Sequence, residues 1–243
     1  MKKFKIIVTL LTILFIQNQI QAESGYKVFS QKNTDEINAD NYSEKILFIV
    51  DFSNSMNEYL NGKKKIDTAI NVLSSIISKL NPNICTGLRV YGHKGSFNQL
   101  LGCTASELIN PIISNNQKNI YNSLSKIRAT GWTPITYSLK KAVIYDFSGI
   151  SGQKRIILLT DGGENCNESP CEYAIKLISE RNDIKIDVIA FAINDEEANK
   201  QLKCTALATS GKFYKANNSE SLMKSLERSL NITKEVQGTI IKK

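Results

Sequence analysis

The chain has 243 residues, is 42% hydrophobic and carries a formal charge of +8 at pH 7. That length fits one good-sized domain or two small ones, and scattered lysines with no basic stripe interleaved with aromatics argue against nucleic-acid binding. Five cysteines without a C-x-x-C pair, and a single histidine, leave a structural zinc site without support.

The N-terminus reads as removable. Lys2, Lys3 and Lys5 precede an apolar run, IIVTLLTILFI at 6–16, and Ile20-Gln21-Ala22 ends on a small residue. Basic, apolar and small in that order is the pattern of a secretory signal peptide over residues 1–22. The apolar run falls well short of the roughly 20 residues that span a bilayer. Without the three early lysines the charge drops to about +5, a modest excess that favours solubility and weak attraction to acidic surfaces. No cysteine precedes Cys85, so a lipoprotein anchor is not expected. The expected location is secreted or periplasmic, with no membrane span after cleavage. Residues 23–44 are polar and without period, a leader into the domain.

From residue 45 apolar runs of strand length alternate with segments of helical period. The first strand is Ile46–Asp51. A helix over about 64–80 follows, with Ile66, Ala69, Ile70, Leu73, Ile77 and Leu80 on one face. The preceding Lys63-Lys64-Lys65 reads as a solvated run. A strand over 84–91 and a glycine-rich loop lead to an edge strand over 103–109. Helices are predicted over about 116–128 and 134–146, the second opened by Pro134, whose missing N–H costs little at that position. RIILLTD at 155–161 and residues 184–193 are further continuous apolar strands. Helices over 171–180, 195–209 and 219–231 and a short strand over 212–215 complete the pattern. Strands apolar on both faces belong to parallel sheets covered on both sides. The alternation therefore predicts one doubly wound α/β domain over 45–232, with residues 233–243 a tail of no evident role.

Oxygen-bearing side chains collect at the strand ends. Asp51, Ser53 and Ser55 alternate by two after the first strand. Asp161 ends another. Thr133 lies in GWTPI, where Gly131 permits an unusual turn. Each has an ordinary alternative: Thr133 as a helix N-cap, TDGG as a turn with positive φ at Gly162 and Gly163. Together they form an all-oxygen set of two carboxylates and three hydroxyls. Ligands in open α/β sheets bind beyond the carboxyl ends of the strands, and such a set suits a hard cation, Mg²⁺ first, then Mn²⁺ or Ca²⁺.

With D-x-S-x-S at Asp51, Ser53 and Ser55, threonine in G-W-T-P and aspartate in L-L-T-D-G-G, the chain resembles the von Willebrand factor type A domain and its metal-ion-dependent adhesion site. LRVYGH at 88–93, ENCNESPC and LKCTALATSGKFYKA at 202–216 resemble bacterial secreted members. The resemblance implies a Rossmann-like, mostly parallel six-stranded sheet with one antiparallel edge strand and helices on both faces. It implies that Ser53, Ser55 and Thr133 hold the ion directly or through water, as do Asp51 and Asp161 depending on state. A protein partner would complete the sphere with an acidic side chain. Trp132 and Glu164 fall on the expected binding rim.

That topology puts Cys103, Cys166, Cys171 and Cys204 near the metal-bearing end and Cys85 at the other. The four are expected to pair among themselves, leaving Cys85 buried and free. Cys166 with Cys171 is the shortest closure; Cys103 with Cys166 and Cys171 with Cys204 is the rival. Enzyme chemistry finds less support. No G-x-S-x-G elbow, P-loop or G-x-G-x-x-G fingerprint occurs, and His93 is better read as packing or surface hydrogen bonding. The function expected is protein binding through a metal ion, without catalysis. The alternative is a metal-dependent, phosphatase-like hydrolase using the same oxygens.

Overall fold

A computed structural model describes residues 44–232. The expected signal peptide, the leader up to residue 43 and the tail at 233–243 lie outside the described residues. The first strand, β1 (Lys45–Asp51), is buried along its whole length. A 3-10 turn at Asn54–Asn57 and a two-residue hairpin, β2 (Tyr59–Leu60) and β3 (Lys63–Lys64), lead into α1 (Lys65–Ile77). Next come β4 (Cys85–Tyr91), a helical turn α2 (Gln99–Gly102), β5 (Ser106–Ile113) and α3 (Gln117–Leu124). Helix α4 (Ile135–Lys141) runs directly into a π turn (Ala142–Asp146), followed by β6 (Lys154–Thr160) and α5 (Pro170–Glu180). The chain then forms β7 (Ile184–Phe191), α6 (Glu196–Ala208), β8 (Phe213–Ala216) and α7 (Ser219–Ser229).

Six strands make one sheet in the order β5-β4-β1-β6-β7-β8. Every neighbouring pair is parallel except β4 with β5. This is the expected fold, with its single antiparallel strand at the edge. Side chains alternate across the sheet. Ile46, Phe48 and Val50 join Ile66, Leu73, Ile120, Leu222 and Leu226 in one core. Leu47 and Ile49 join Ile135, Leu139, Leu177, Leu202 and Ala206 in the other. Helices α1, α3 and α7 therefore cover one face, and α4, α5 and α6 the other. Each buried Leu, Ile or Phe contributes roughly 1.5–3 kcal/mol. A one-residue slip of β1 would exchange its two sets of side chains, so the register is strongly specified and the position of its last residue, Asp51, with it.

Several elements differ from the sequence pattern: α1 and α3 end at Ile77 and Leu124 rather than near 80 and 128, and the β2–β3 hairpin has no counterpart in it. Two further differences have a clear local cause. The edge strand occupies Ser106–Ile113 rather than 103–109, because residues 99–102 coil into a turn capped by the Asn98 side chain on Leu100 N–H. Pro111, which has no N–H to donate, falls where the β4–β5 register is irregular, a place such residues are tolerated. The helix expected over 134–146 is α-helical only to Lys141. It then widens so that Phe147 N–H donates to Ala142 C=O, five residues back, at 3.0 Å. The widened turn ends on Asp146, whose carboxylate is buried against Arg89 of β4. Arg89 Nε and Nη2 donate to its two oxygens at 2.6 and 2.7 Å, and Arg89 Nη1 donates to Ser106 Oγ at 2.9 Å. This forked pair ties the central sheet, the edge strand and the α4 layer together.

The cysteines pair as Cys103–Cys166 and Cys171–Cys204, with Cys85 free but half-buried rather than buried, at the start of β4. This is the longer-range of the two arrangements expected. Closing spans of 63 and 33 residues stabilises the fold by on the order of 3–4 kcal/mol each in the chain-entropy account. The sharper test of the interior lies at Arg89. Replacing Asp146 with Ala strands a buried guanidinium, so urea unfolding should show a loss of about 3–5 kcal/mol. Asp146→Leu combined with Arg89→Leu should recover much of it.

Candidate metal centre

The chain leaves β1 toward β4 and β5 on one side and returns to β6 on the other. The strand order therefore reverses between β1 and β6, and their carboxyl ends open at the switch point where α/β sheets take ligands. Asp51 is fully buried there and Asp161 nearly so.

Short-range chemistry shapes the loop after β1. Ser53 N–H donates to Asp51 Oδ1 at 2.6 Å, a side-chain turn that aspartate forms two residues on. Ser53 then bridges to Gly131, and Asn54 N–H donates to Gly131 C=O at 2.9 Å. Thr130 N–H donates to Phe52 C=O at 3.0 Å and Gly131 N–H to Gly92 C=O at 2.7 Å. Three loops thus meet with backbone against backbone. Gly131 is required by that approach: a Cβ there would lie 2.8 Å from Lys94 C=O. Gly92 has φ +72°, and its Cβ would lie 2.5 Å from Ser53 N. Gly162 and Gly163, by contrast, do not adopt positive φ, so TDGG is not the left-handed turn its glycines allow.

The oxygens fall into two hydrogen-bonded groups, joined by the Ser53 N–H bond to Asp51. Ser53 Oγ and Ser55 Oγ are 3.0 Å apart, and Ser55 Oγ donates to Asp161 Oδ1 at 2.7 Å. Thr160 Oγ1 lies 2.8 Å from both Asp51 Oδ2 and Gly162 C=O. Thr133 is 4% exposed. Gly131, two residues before it, bridges to Ser53, and Thr133 N–H donates to Asn165 Oδ1 at 2.8 Å, but its hydroxyl makes no hydrogen bond to Asp51, Ser53, Ser55 or Asp161. It does not serve as the helix cap. The first turn of α4 is instead met by Glu164, whose Oε2 accepts Thr136 N–H at 2.7 Å while Oε1 accepts Cys166 N–H at 2.9 Å. Glu164 is half-buried, and burial pushes its carboxyl up. Trp132 is also half-buried; its indole N–H donates to Ser96 C=O at 3.0 Å and its ring lies against Gly102. His93 Nε2 meets Glu107 Oε2 at 3.1 Å.

Four contributors escaped sequence reasoning: Lys65, Glu58, Thr160 and Asn165. Lys65 is a correction. Rather than ending a solvated run, it is 8% exposed, and its ammonium lies 2.9 Å from Asp161 Oδ2 and 2.7 Å from Glu58 Oε2. The available signal was its place at the start of an amphipathic helix, directly before the apolar Ile66.

The electrostatics favour a cation. Burial, and then the charge of Asp161, push the Asp51 carboxyl up to about 6. Burial raises Asp161 too, against the Ser55 and Lys65 hydrogen bonds that lower it. Two carboxylates share a poorly hydrated edge with one ammonium between Asp161 and the outside. Among the described residues no three His, Cys, Asp or Glu side chains gather around a metal position, so any ion would rest on this mixed carboxylate and hydroxyl set. One distance in it, the 3.0 Å between Ser53 Oγ and Ser55 Oγ, matches the roughly 3 Å between adjacent oxygens around an octahedral Mg²⁺.

Comparison with known proteins places the chain. The model of the von Willebrand factor type A domain matches residues 45–228. The uncharacterized protein YwmD of Bacillus subtilis (strain 168) is 30% identical over 191 residues, covering 75% of this chain and 83% of its own. YwmC of the same organism is 30% identical over 175 residues, covering 70% and 76%. The crystal structure of BatB from Bacteroides thetaiotaomicron superposes with a TM-score of 0.60 at 18% identity, over 78% of this chain and 97% of that one. Proximal thread matrix protein 1 of the mussel byssus, solved with a zinc-occupied MIDAS motif, gives a TM-score of 0.60 at 20% identity, over 79% of this chain and 46% of that one. At these identities the two solved structures speak for the fold alone. With the family match covering most of the described residues, and the sheet order and switch point already in place, the chain belongs to the von Willebrand factor type A domain family.

Proposed function

We propose that this chain is an exported protein-binding module that engages its partner through a hard divalent cation, Mg²⁺ first, then Mn²⁺ or Ca²⁺. Asp51, Ser53, Ser55, Thr133 and Asp161 would hold the ion. One observation carries the reading: Asp51, Ser53, Ser55 and Asp161 are joined by hydrogen bonds at the switch point, Asp51 through Ser53 N–H and the others through their oxygens, with more negative charge than Lys65 offsets. When bound, the cation supplies a strong local attraction for a carboxylate from a partner's Asp or Glu. The chain's own residues do the rest. Ser53, Ser55 and Thr133 would contribute neutral oxygens, which add coordination without adding negative charge. Asp51 is oriented by Ser53 N–H, and Asn165 fixes the backbone at Thr133.

Export is supported by the N-terminal signal pattern and by two disulfides, which persist in oxidising compartments. No helix among the described residues is long and apolar enough to cross a membrane. A hydrolase at this edge would need a proton-transfer group. The single imidazole, His93, is turned to Glu107, so the binding reading is favoured and no nucleic-acid partner is invoked.

Two results would test this. In pull-downs from native extract, partner capture should require Mg²⁺, vanish in EDTA and be lost in Asp51→Ala and Thr133→Ala, with circular dichroism unchanged. Capture undiminished by EDTA would refute it. Separately, Asp51→Asn removes one of two mutually repelling buried charges. The amide can donate to Thr160 Oγ1 while that hydroxyl turns to Gly162 C=O. The metal-free Asp51→Asn variant should therefore melt higher than wild type, by roughly 2–4 °C for each kcal/mol relieved. Saturating Mg²⁺ should raise the wild-type melting temperature only.

A further inference from the structure

Lys65 is built into the site rather than merely near it. Its backbone N–H donates to Glu58 C=O at 2.9 Å, which anchors the first residue of α1 to the β2 side of the loop. Its side chain turns inward to Asp161 Oδ2 and Glu58 Oε2. Burial disfavours the ammonium, but hydrogen bonds to Glu58 and Asp161 outweigh it and hold its pKa above the ordinary lysine value. Asp161 is thereby held at both oxygens, Oδ1 by the Ser55 hydroxyl and Oδ2 by Lys65. It cannot turn Oδ2 toward the other oxygens without giving up the ammonium. Glu58 lies on the solvent side, its side chain 66% exposed, so its charge is screened far more than those of Asp51 and Asp161.

We propose that Lys65 is a positioning residue: it restrains Asp161 by Oδ2 and keeps a fixed positive charge beside the oxygen cluster, which weakens cation binding and strengthens the capture of a partner's carboxylate. The assignment rests on the metal-binding reading above. The charge count shows why the two effects oppose. Asp51, Asp161 and Lys65 together carry one negative charge. A divalent cation takes that to one positive, and a single carboxylate brings it to zero. Without Lys65 the loaded site would already be neutral, and a partner's carboxylate would enter against no net attraction.

The experiment uses the purified chain with Mn²⁺ as the metal probe and acetate as the carboxylate probe, both read by water-proton relaxation. Mn²⁺ binding raises the relaxation rate, and acetate lowers it by displacing metal-bound water. Lys65→Met should bind Mn²⁺ roughly tenfold more tightly and acetate roughly tenfold more weakly, as expected for a unit charge removed at close range in a partly buried site. Glu58→Gln, at an exposed position, should shift both affinities the other way by a smaller factor. A merely structural lysine would lower both affinities together in Lys65→Met and leave Glu58→Gln at wild-type values; that result would overturn the proposal. Should Lys65→Met not fold, Lys65→Gln keeps a hydrogen-bond donor while removing the charge, and is held to the same opposite shifts. If wild-type protein shows no Mn²⁺ binding that Asp51→Ala removes, the metal-binding reading itself falls. If it binds and the variants shift together or not at all, only the role of Lys65 falls.

Discussion

The structure is organised around two buried carboxylates that end neighbouring parallel strands. Val50 of β1 pairs with Leu159 of β6, so Asp51 and Asp161, each a step or two further on, emerge at the same edge. Like charges at such an edge repel, and burial penalises both. The surrounding chain answers with donors: Ser53 N–H and the Thr160 hydroxyl for Asp51, the Ser55 hydroxyl and the Lys65 ammonium for Asp161. These come from the loop after β1, the end of β6 and the start of α1. The courses of three chain segments are thus tied to one electrostatic problem, the burial of two like charges at one sheet edge.

The rim around that edge is preformed. Backbone hydrogen bonds stitch the loops at 52–54, 92 and 130–131. The Cys103–Cys166 bridge joins the segment before β5 to the one after β6. Trp132 is fixed between Ser96 and Gly102. A surface already ordered before its partner arrives loses less entropy on binding. The glycines at 92 and 131 belong to the same logic, since any larger residue would push apart the backbones that join Ser53 to Gly131.

Much of this was legible in the sequence, for identifiable reasons. Strands buried on both faces leave long apolar runs, so β1 and β6 could be read within a residue or two, and β7 as well despite its Lys185 and Asp187. The five oxygen-bearing residues stand out because they terminate such runs or start a helix. Less local features were hidden. Lys65 looks like its neighbours Lys63 and Lys64 until the hairpin of β2 and β3 turns it inward. Asn98 capping a helical turn delayed the edge strand, and no propensity announces where an edge strand begins. The cysteine pairing depended on which loops lie side by side, which spacing alone does not reveal. The two charged partners of the deepest ion pair, Arg89 and Asp146, are separated by 57 residues, beyond any periodic signal.

The π turn before Asp146 has a consequence for the history of the chain. A turn closed five residues back holds one residue more than an α-helical turn, the geometric equivalent of a single-residue insertion into a helix. Deleting one residue between Ala142 and Asp146 would restore a regular helix and rotate the carboxylate away from Arg89. The ion pair of Arg89 therefore depends on the extra residue. Lineages of this family should gain or lose them together, and a relative carrying a hydrophobic residue in place of Arg89 should have a helix one residue shorter at this point.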